Sequence, residues 1–494
     1  MLLILAALTL VFIYLYFVFT TPFWDKFEIP YLKPNPFFGN LTDVVFQKAS
    51  LVDVYNRIYR KFKNSAYVGI YIIRRPGILI RDIDLAKDVL IGNFSHFHEN
   101  DLEVDPEYDP IFGNNPFTMK GEEWKIQRTK HVPLYTIAKM KNMFESVKDS
   151  SEKLVKYLKE HTVKNSCVEA MDISAKYTIS NVGSCAIGID NRTLEEKNSE
   201  MRQMGKDLVE ISIYNSIKQF LMIVIPSVFD FFKVTLVPTK VYKRLKSIII
   251  EQIDYRNKNN LKRNDFFDNI RKPKGKGAEL EEIIAHVGGF FVDGFATSSH
   301  ALNFTLYEIA KNVDVQRKLR KEIDETISKN DGKITYDILN EMVYLEAVIL
   351  ESLRKYPPLG SMTKLCTSPF TLPPATPASN PIKIQVGTPV VIPLMAIQND
   401  DKYYPNPEKF DPSRLLPGNK EFIEKKAFMP FSTGPRACIG QKFALMQAKM
   451  CIFKLLEHFK LKVNSKTREP IMLHPAAVLI TAKGGIWLDV TKRK

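Results

Sequence analysis

The first nineteen residues, MLLILAALTLVFIYLYFVF, carry no charged side chain. A helix of that length rises about 28 Å at ~1.5 Å per residue, close to the ~30 Å hydrocarbon thickness of a bilayer. No basic residue precedes the run and no small-residue cleavage site comes after it, so it reads as an uncleaved anchor over residues 1–20 rather than a removed signal peptide. Positive charge gathers behind it, at Lys26, Lys33, Lys48, Arg57, Arg60, Lys61 and Lys63. By the positive-inside rule the body then lies in the cytosol, and the lack of an arginine-rich presequence argues against mitochondria.

The chain beyond residue 20 must fold largely in water. IPYLKPNPFFGN (29–40) holds three prolines, which fix φ and favour extended chain. Residues 21–40 are therefore expected to form a hinge, and residues 41–494 a single catalytic body, because no linker, low-complexity stretch or internal repeat divides them. AYVGIYIIRRPGILI (66–80) alternates as two β runs split by Arg-Arg-Pro-Gly turn chemistry. Apolar residues recur at i, i+3, i+4 and i+7 over roughly 141–160, 281–311, 313–328, 340–355 and 441–459. The expected class is mainly α with a minor β part. FLMIVIPSVFDFFKVTLV (220–237) is too apolar for a loop and is interrupted by Pro226, Asp230 and Lys233; two buried helices and a stretch lying at a membrane interface fit it equally.

The balance of 70 Lys and Arg against 55 Asp and Glu gives a formal charge of +15, which attracts acidic partners. Nucleic acid is excluded: the basic residues form no arm and no aromatic-interleaved stripe, and the densest run, RKPKGKG (271–277), reads as a solvated loop. An acidic protein and a membrane surface remain. The five cysteines, Cys167, Cys185, Cys366, Cys438 and Cys451, are odd in number and far apart, as in a reducing compartment.

A lone cysteine is by default a small buried hydrophobe, but FSTGPRACIG (431–440) sets Cys438 apart. Gly434, Pro435 and Gly440 specify a tight turn, and QKFALMQAKMCIFKLLEHF then runs on as a helix. Cys438 thus stands at a helix N-terminus, where free N–H groups and the dipole lower a thiol pKa. A thiolate there attacks, pairs or ligates. The histidine nearest in sequence is His458, and no further Cys or His stands at zinc or iron–sulfur spacing. Ligation by one thiolate points to a metal whose other ligands come from a cofactor, which means haem, with Arg436 placed for a propionate.

Phe431-x-x-Gly434-x-Arg436-x-Cys438-x-Gly440 resembles the haem-binding loop of the cytochrome P-450 family, and further segments match in the family's order over essentially all of the chain. Glu351-x-x-Arg354 resembles the family's E-x-x-R pair, and PEKFDPSRL (407–415) looks like the later segment that supplies Arg414. The resemblance implies a buried ionic triad that fixes the approach to the cysteine loop. Trp124-x-x-x-Arg128 is similar to the tryptophan–arginine pair that meets a propionate, and Lys364 stands where related enzymes often carry a propionate-binding arginine.

GGFFVDGFATSSH (288–300) resembles the oxygen-activating stretch, with Gly294, Thr297 and Ser298 in register. It departs at two places: Ala296 replaces the usual acid, and Asp293 replaces a small residue. Asp293 lies one turn before Thr297 on the same helix face. Three roles are open to it: a relocated proton relay, an anchor for a cationic or hydroxylated substrate, or the mark of an enzyme that needs no relay. A helix Asp turned to solvent is the bland alternative.

The resemblance implies a monooxygenase of the endoplasmic reticulum membrane with haem b on Cys438. It would insert one oxygen atom of dioxygen into a lipophilic xenobiotic, steroid, terpenoid or fatty acid, with Thr297 and Asp293 or water supplying protons. The implied partners are an NADPH-cytochrome reductase, a small acidic haem electron donor and the lipid bilayer; Lys442, Lys449 and Arg436 are expected to dock the acidic partner. Pocket walls are expected from 94–117, 290–295, 359–363 and 475–479. PLYTIAKMK, NVGSCAIGI and FFVDGFATSS look nearest to animal microsomal members and, among them, to the arthropod xenobiotic branch. Two other classes stay open: a haem-thiolate isomerase or dehydratase acting on peroxides without a reductase, and a non-catalytic haem sensor or carrier.

Overall fold

A computed structural model of the chain describes residues 23–190, 192–196, 199–209, 211, 215–218, 221, 233–263, 265–271, 280–419 and 427–493. The expected anchor, most of the apolar segment 220–237 and most of the basic run 271–277 lie outside the described residues. Among the described residues no helix is long and apolar enough to cross a membrane.

The longer helices are α1 (Leu51–Lys61), α2 (Gly121–His131), α3 (Ile137–Lys164), α4 (Ala170–Val182), α5 (Thr239–Lys258), α6 (Leu280–Lys311), α7 (Val313–Lys329), α8 (Val343–Lys355) and α9 (Gln441–His458). All five expected amphipathic stretches are helical. The one at 340–355 is broken at Met342, whose extended backbone ends the short helix Tyr336–Glu341 and begins α8. Helices before residue 140 were not foreseen. α1 starts at a capping box, in which Ser50 Oγ accepts from the Asp53 N–H and Asp53 Oδ2 from the Ser50 N–H, both at 3.1 Å. α2, GEEWKIQRTKH, buries only Trp124 and His131 and so shows no apolar stripe.

The strands are short: β1 (Tyr67–Ile72), β2 (Arg75–Ile80), β3 (Glu99–Asn100), β4 (Cys167–Glu169), β5 (Met362–Leu365), β6 (Phe370–Leu372), β7 (Ile382–Ile384), β8 (Pro389–Ile392), β9 (Phe459–Val463) and β10 (Trp487–Lys492). The main sheet has the order β1-β2-β8-β5-β3, with β2 and β8 parallel and the other neighbours antiparallel. β4-β10-β9 form a second sheet and β6-β7 a third. In the β1–β2 hairpin Ile72 faces Arg75, so Ile73 and Arg74 make the turn and Pro76 and Gly77 fall inside β2.

Residues 29–40, expected as a hinge of extended chain, are hydrogen-bonded to β1. Leu32 N–H donates to Gly69 O at 3.1 Å and Asn40 N–H to Tyr71 O at 2.9 Å, while Trp24, 1% exposed, donates its Nε1–H to Ile70 O at 3.0 Å. β1 is an edge strand with unpaired backbone groups, and the extended chain that the prolines favour supplies partners for them.

α6, 32 residues long, spans about 48 Å at ~1.5 Å per residue and is buried nearly all round, as a central helix is. It packs against α4, α5, α8 and α9. One core gathers under these helices and a second lies between α1 and the main sheet. Gly288 sets how closely α6 is approached: a Cβ there would stand 2.6 Å from Ile111 Cδ1, so the missing side chain lets Ile111 seat against the helix. That contact carries the stretch from Asn114 to Phe117 to the wall of an interior cavity.

Candidate active site

Glu351 and Arg354 on α8 are fully buried. Arg354 donates Nε–H to Glu351 Oε2 at 2.8 Å and Nη2–H to Oε1 at 3.0 Å, and Arg414 Nε stands 3.5 Å from Oε1. Burial pushes the Glu351 carboxyl up, against the pull of Arg354 and of the Asp411 N–H. Arg354 also donates to Gln398 O at 2.9 Å and Pro407 O at 2.7 Å. From there a hydrogen-bonded path leads to the cysteine loop: Met429 N–H to Gln398 Oε1 at 2.8 Å, Ser432 N–H to Met429 O at 2.9 Å, and Cys438 N–H to Phe431 O at 2.9 Å.

Within the loop Ser432 and Gly434 have positive φ, 59° and 79°. A Cβ on Gly434 would lie 2.2 Å from Leu90 O. Gly434→Ala is therefore expected to cost at least ~1–2 kcal/mol from the left-handed backbone alone, with the backbone clash added. A denaturant midpoint unchanged from the parent would refute this.

Cys438 opens into a cavity of about 520 Å³, within the ~300–1,000 Å³ usual for ligand sites. Cys185, Cys366 and Cys451 are buried and Cys167 is half-buried, so Cys438 is the one cysteine facing open space. The expected lowering of its thiol is corrected by the structure. Burial raises it and the charge of Asp293 adds to that, outweighing the Gly440 and Gln441 N–H groups and Arg128. The helix terminus acts in the expected sense, yet desolvation wins; a metal cation bound to the sulfur would favour its thiolate.

One wall of the cavity is cationic. Lys364 on β5 is 1% exposed and donates to Asn100 Oδ1 at 3.0 Å. Burial and the neighbouring Arg436 push it down to about 7. Arg436 stacks on Trp124 with 4.2 Å to the ring centre and donates to Pro116 O at 3.0 Å, Met119 O at 2.8 Å and His98 O. Burial and Arg128 lower it to about 10. Half-buried Arg128 on α2 donates to Ala437 O at 2.7 Å. Glu99 is the carboxylate whose charge reaches both Lys364 and Arg436, so one negative group faces three cations there.

α6 supplies Asp293, Thr297 and Ser298. Asp293 opens to the cavity rather than to outer solvent, which overturns the solvent-facing alternative. Its Oδ2 accepts from Asn115 Nδ2–H at 2.7 Å, and burial pushes the carboxyl up to about 6 against that bond. Thr297 Oγ1–H donates to the Asp293 carbonyl at 2.7 Å, not to its carboxylate. Ser298 is 5% exposed, and its Oγ accepts from Gln447 Nε2–H on α9 at 2.7 Å, so it ties two helices together. Phe431 and Gly440 line the cavity beside Cys438, and each expected wall segment contributes. Among the described residues no group of three or more His, Cys, Asp and Glu is placed to hold a metal ion.

Two features had no sequence signal: Asn115, 178 positions from Asp293, and the pair His131–His286, whose ring nitrogens meet at 3.0 Å between α2 and α6. The expected docking cluster is corrected. Lys449 is fully buried and paired with Glu346, and Arg436 is held inward, which leaves Lys442 on the surface.

A family model for cytochrome P-450 matches residues 29–488. The chain is 32% identical over 483 residues to cytochrome P-450 6j1 of Blattella germanica, covering 97% of this chain and 95% of that protein. It is 33% identical over 491 residues to probable cytochrome P-450 6a14 of Drosophila melanogaster, covering 95% of each. With cytochrome P-450 9e2 of Blattella germanica it shares 33% identity over 507 residues, 95% of this chain and 94% of that one.

Proposed function

The chain belongs to the cytochrome P-450 family and is a haem-thiolate monooxygenase, and from that premise we propose that it inserts one atom of dioxygen into a lipophilic small molecule with NADPH-derived electrons passed on by a reductase. The carrying observation is Cys438, open to a largely apolar cavity that α6 and a cationic wall share.

Haem b fits these residues. Cys438 would supply the thiolate ligand, and Arg128, Arg436 and Lys364, beside Trp124, would supply counter-charge for the propionates. When bound, the cofactor supplies one-electron and dioxygen chemistry, with the thiolate favouring O–O cleavage. The protein's residues arrange the rest. The N–H groups of Gly440 and Gln441 stabilise charge on the sulfur. Thr297 spends its proton on the Asp293 carbonyl, so its oxygen is left as an acceptor that orients a water as proton donor; a placed donor is worth about 10²–10⁴-fold.

The uncharged run at 1–19 and the basic residues behind it support a single-pass anchor, residues 1–20, in the endoplasmic reticulum membrane with a cytosolic body. The charge of +15 supports docking of a reductase or a small acidic haem donor, in which Lys442 takes part.

Reconstitution with purified reductase, NADPH and isotopically labelled dioxygen tests this reading. The expected result is one labelled oxygen in the product, with NADPH consumed. Conversion of peroxides without NADPH would establish the isomerase or dehydratase class instead, and binding without turnover the carrier class.

A further inference from the structure

The mouth and walls of the cavity are rich in Phe112, Phe117, Phe290 and Leu359, yet a carboxylate sits among them. No cationic side chain among the described residues forms an ion pair with Asp293; its side-chain bond is the one from Asn115. That bond has a fixed sense. Asn115 is 3% exposed and its Oδ1 accepts the Phe117 N–H at 2.8 Å, so Nδ2 must be the end that donates to Asp293. The carboxylate is held from one side with its other oxygen unpaired. It is also not wired to the Thr297 hydroxyl, which is engaged by the Asp293 backbone.

We propose that Asp293, positioned by Asn115, is the recognition point for a positively charged nitrogen, so that the preferred substrates are lipophilic ammonium compounds. The inference rests on the monooxygenase reading above and narrows it to a substrate class. A carboxylate in apolar surroundings is costly unless paired. A neutral ligand that displaces water from the cavity leaves it unpaired; a monocation with an apolar body supplies the missing charge and fills the rest of the space. Discrimination then arises from the penalty on the neutral compound as much as from attraction to the cation.

The test uses an arylalkyl trimethylammonium and its tert-butyl carbon isostere, matched in shape. A quaternary nitrogen has no lone pair for iron, so a Soret shift reports occupancy of the cavity rather than ligation. In the haem-loaded protein at pH 8 the ammonium compound should bind about 10–100-fold more tightly than the isostere, the size of a charge–charge contact partly shielded from water. Asp293→Asn should erase the preference from both sides, weakening the ammonium compound and tightening the isostere by about 3–10-fold each as the penalty of an unpaired carboxylate is removed. The preference should also fade as pH drops through about 6, where the carboxyl takes a proton.

Other groups near the cavity bear on that pH arm. Tyr135 and Cys438 feel the charge of Asp293. His286 and His300 on the same helix are pushed down to about 4 by burial and stay neutral over the range. Burial likewise lowers His131 on α2. Burial and Arg436 push Lys364 down to about 7, and a haem propionate beside it would raise it again and keep it charged over the range.

Equal affinity for both compounds in the parent, or a preference retained in Asp293→Asn, overturns the proposal. Labelled-oxygen incorporation into the isostere separates this outcome from failure of the monooxygenase reading, since that turnover needs no charge on the substrate.

Discussion

Cys438→Ser should remove the thiolate signature of the protein completely. The reduced carbon-monoxide complex is expected to absorb at shorter wavelength, because an alcohol oxygen donates less electron density than a thiolate, and monooxygenation should fall to background. The effect is predicted to be larger than that of any other cysteine change. Cys185, Cys366 and Cys451 are buried away from the cavity, and burial raises their thiols. Cys451→Ser on α9 is the matched control: it should destabilise packing and leave the absorbance band where it is. An unshifted band in Cys438→Ser would mean that another ligand holds the iron.

Glu351→Gln should be the most destabilising conservative change in the body. It leaves the Arg354 guanidinium, 0% exposed, without its carboxylate. Breaking one partner out of a buried ion pair costs roughly 3–5 kcal/mol, whereas replacing both partners by apolar residues of similar volume is much less costly. Glu351→Gln is therefore expected to lower the denaturant midpoint and the haem content together, and the double change Glu351→Met, Arg354→Met should recover part of both. Haem is lost because Arg354 holds Gln398, and Gln398 holds Met429 at the entrance to the cysteine loop. A single variant with the parent's midpoint would contradict the ionic role.

Features written in local chemistry were legible in the sequence. The loop at 431–440 is fixed by Gly434 and Pro435 ahead of a strongly periodic helix, and the Glu351–Arg354 contact is an i,i+3 pair, so both could be located before any tertiary contact was known. α6 announced itself by length and apolarity. α2 did not, because its inward face carries Trp124, Arg128 and His131 for the cavity instead of an apolar stripe.

The features that stayed hidden depended on distant neighbours. A lysine in α9 reads as solvated, and nothing local to Lys449 places Glu346 beside it. The thiol of Cys438 shows the same limit: the helix N-terminus is visible in the sequence, while the burial that outweighs it is a property of the assembled cavity. Asp293 could be placed on the right face of its helix, but its partner Asn115 comes from a loop 178 positions away.

The stitching of residues 24–40 to β1 bears on how this enzyme meets its partners. With residues 1–20 in a bilayer as proposed, three residues precede Trp24, a leash of about 10 Å at ~3.5 Å each. Exposed Phe23, Phe37 and Phe46 lie on the segments nearest that leash. Under that proposal the body would ride at a nearly constant height above the lipid and would search for a membrane-bound reductase in two dimensions. A lengthened leash would then trade that standing local concentration for reach.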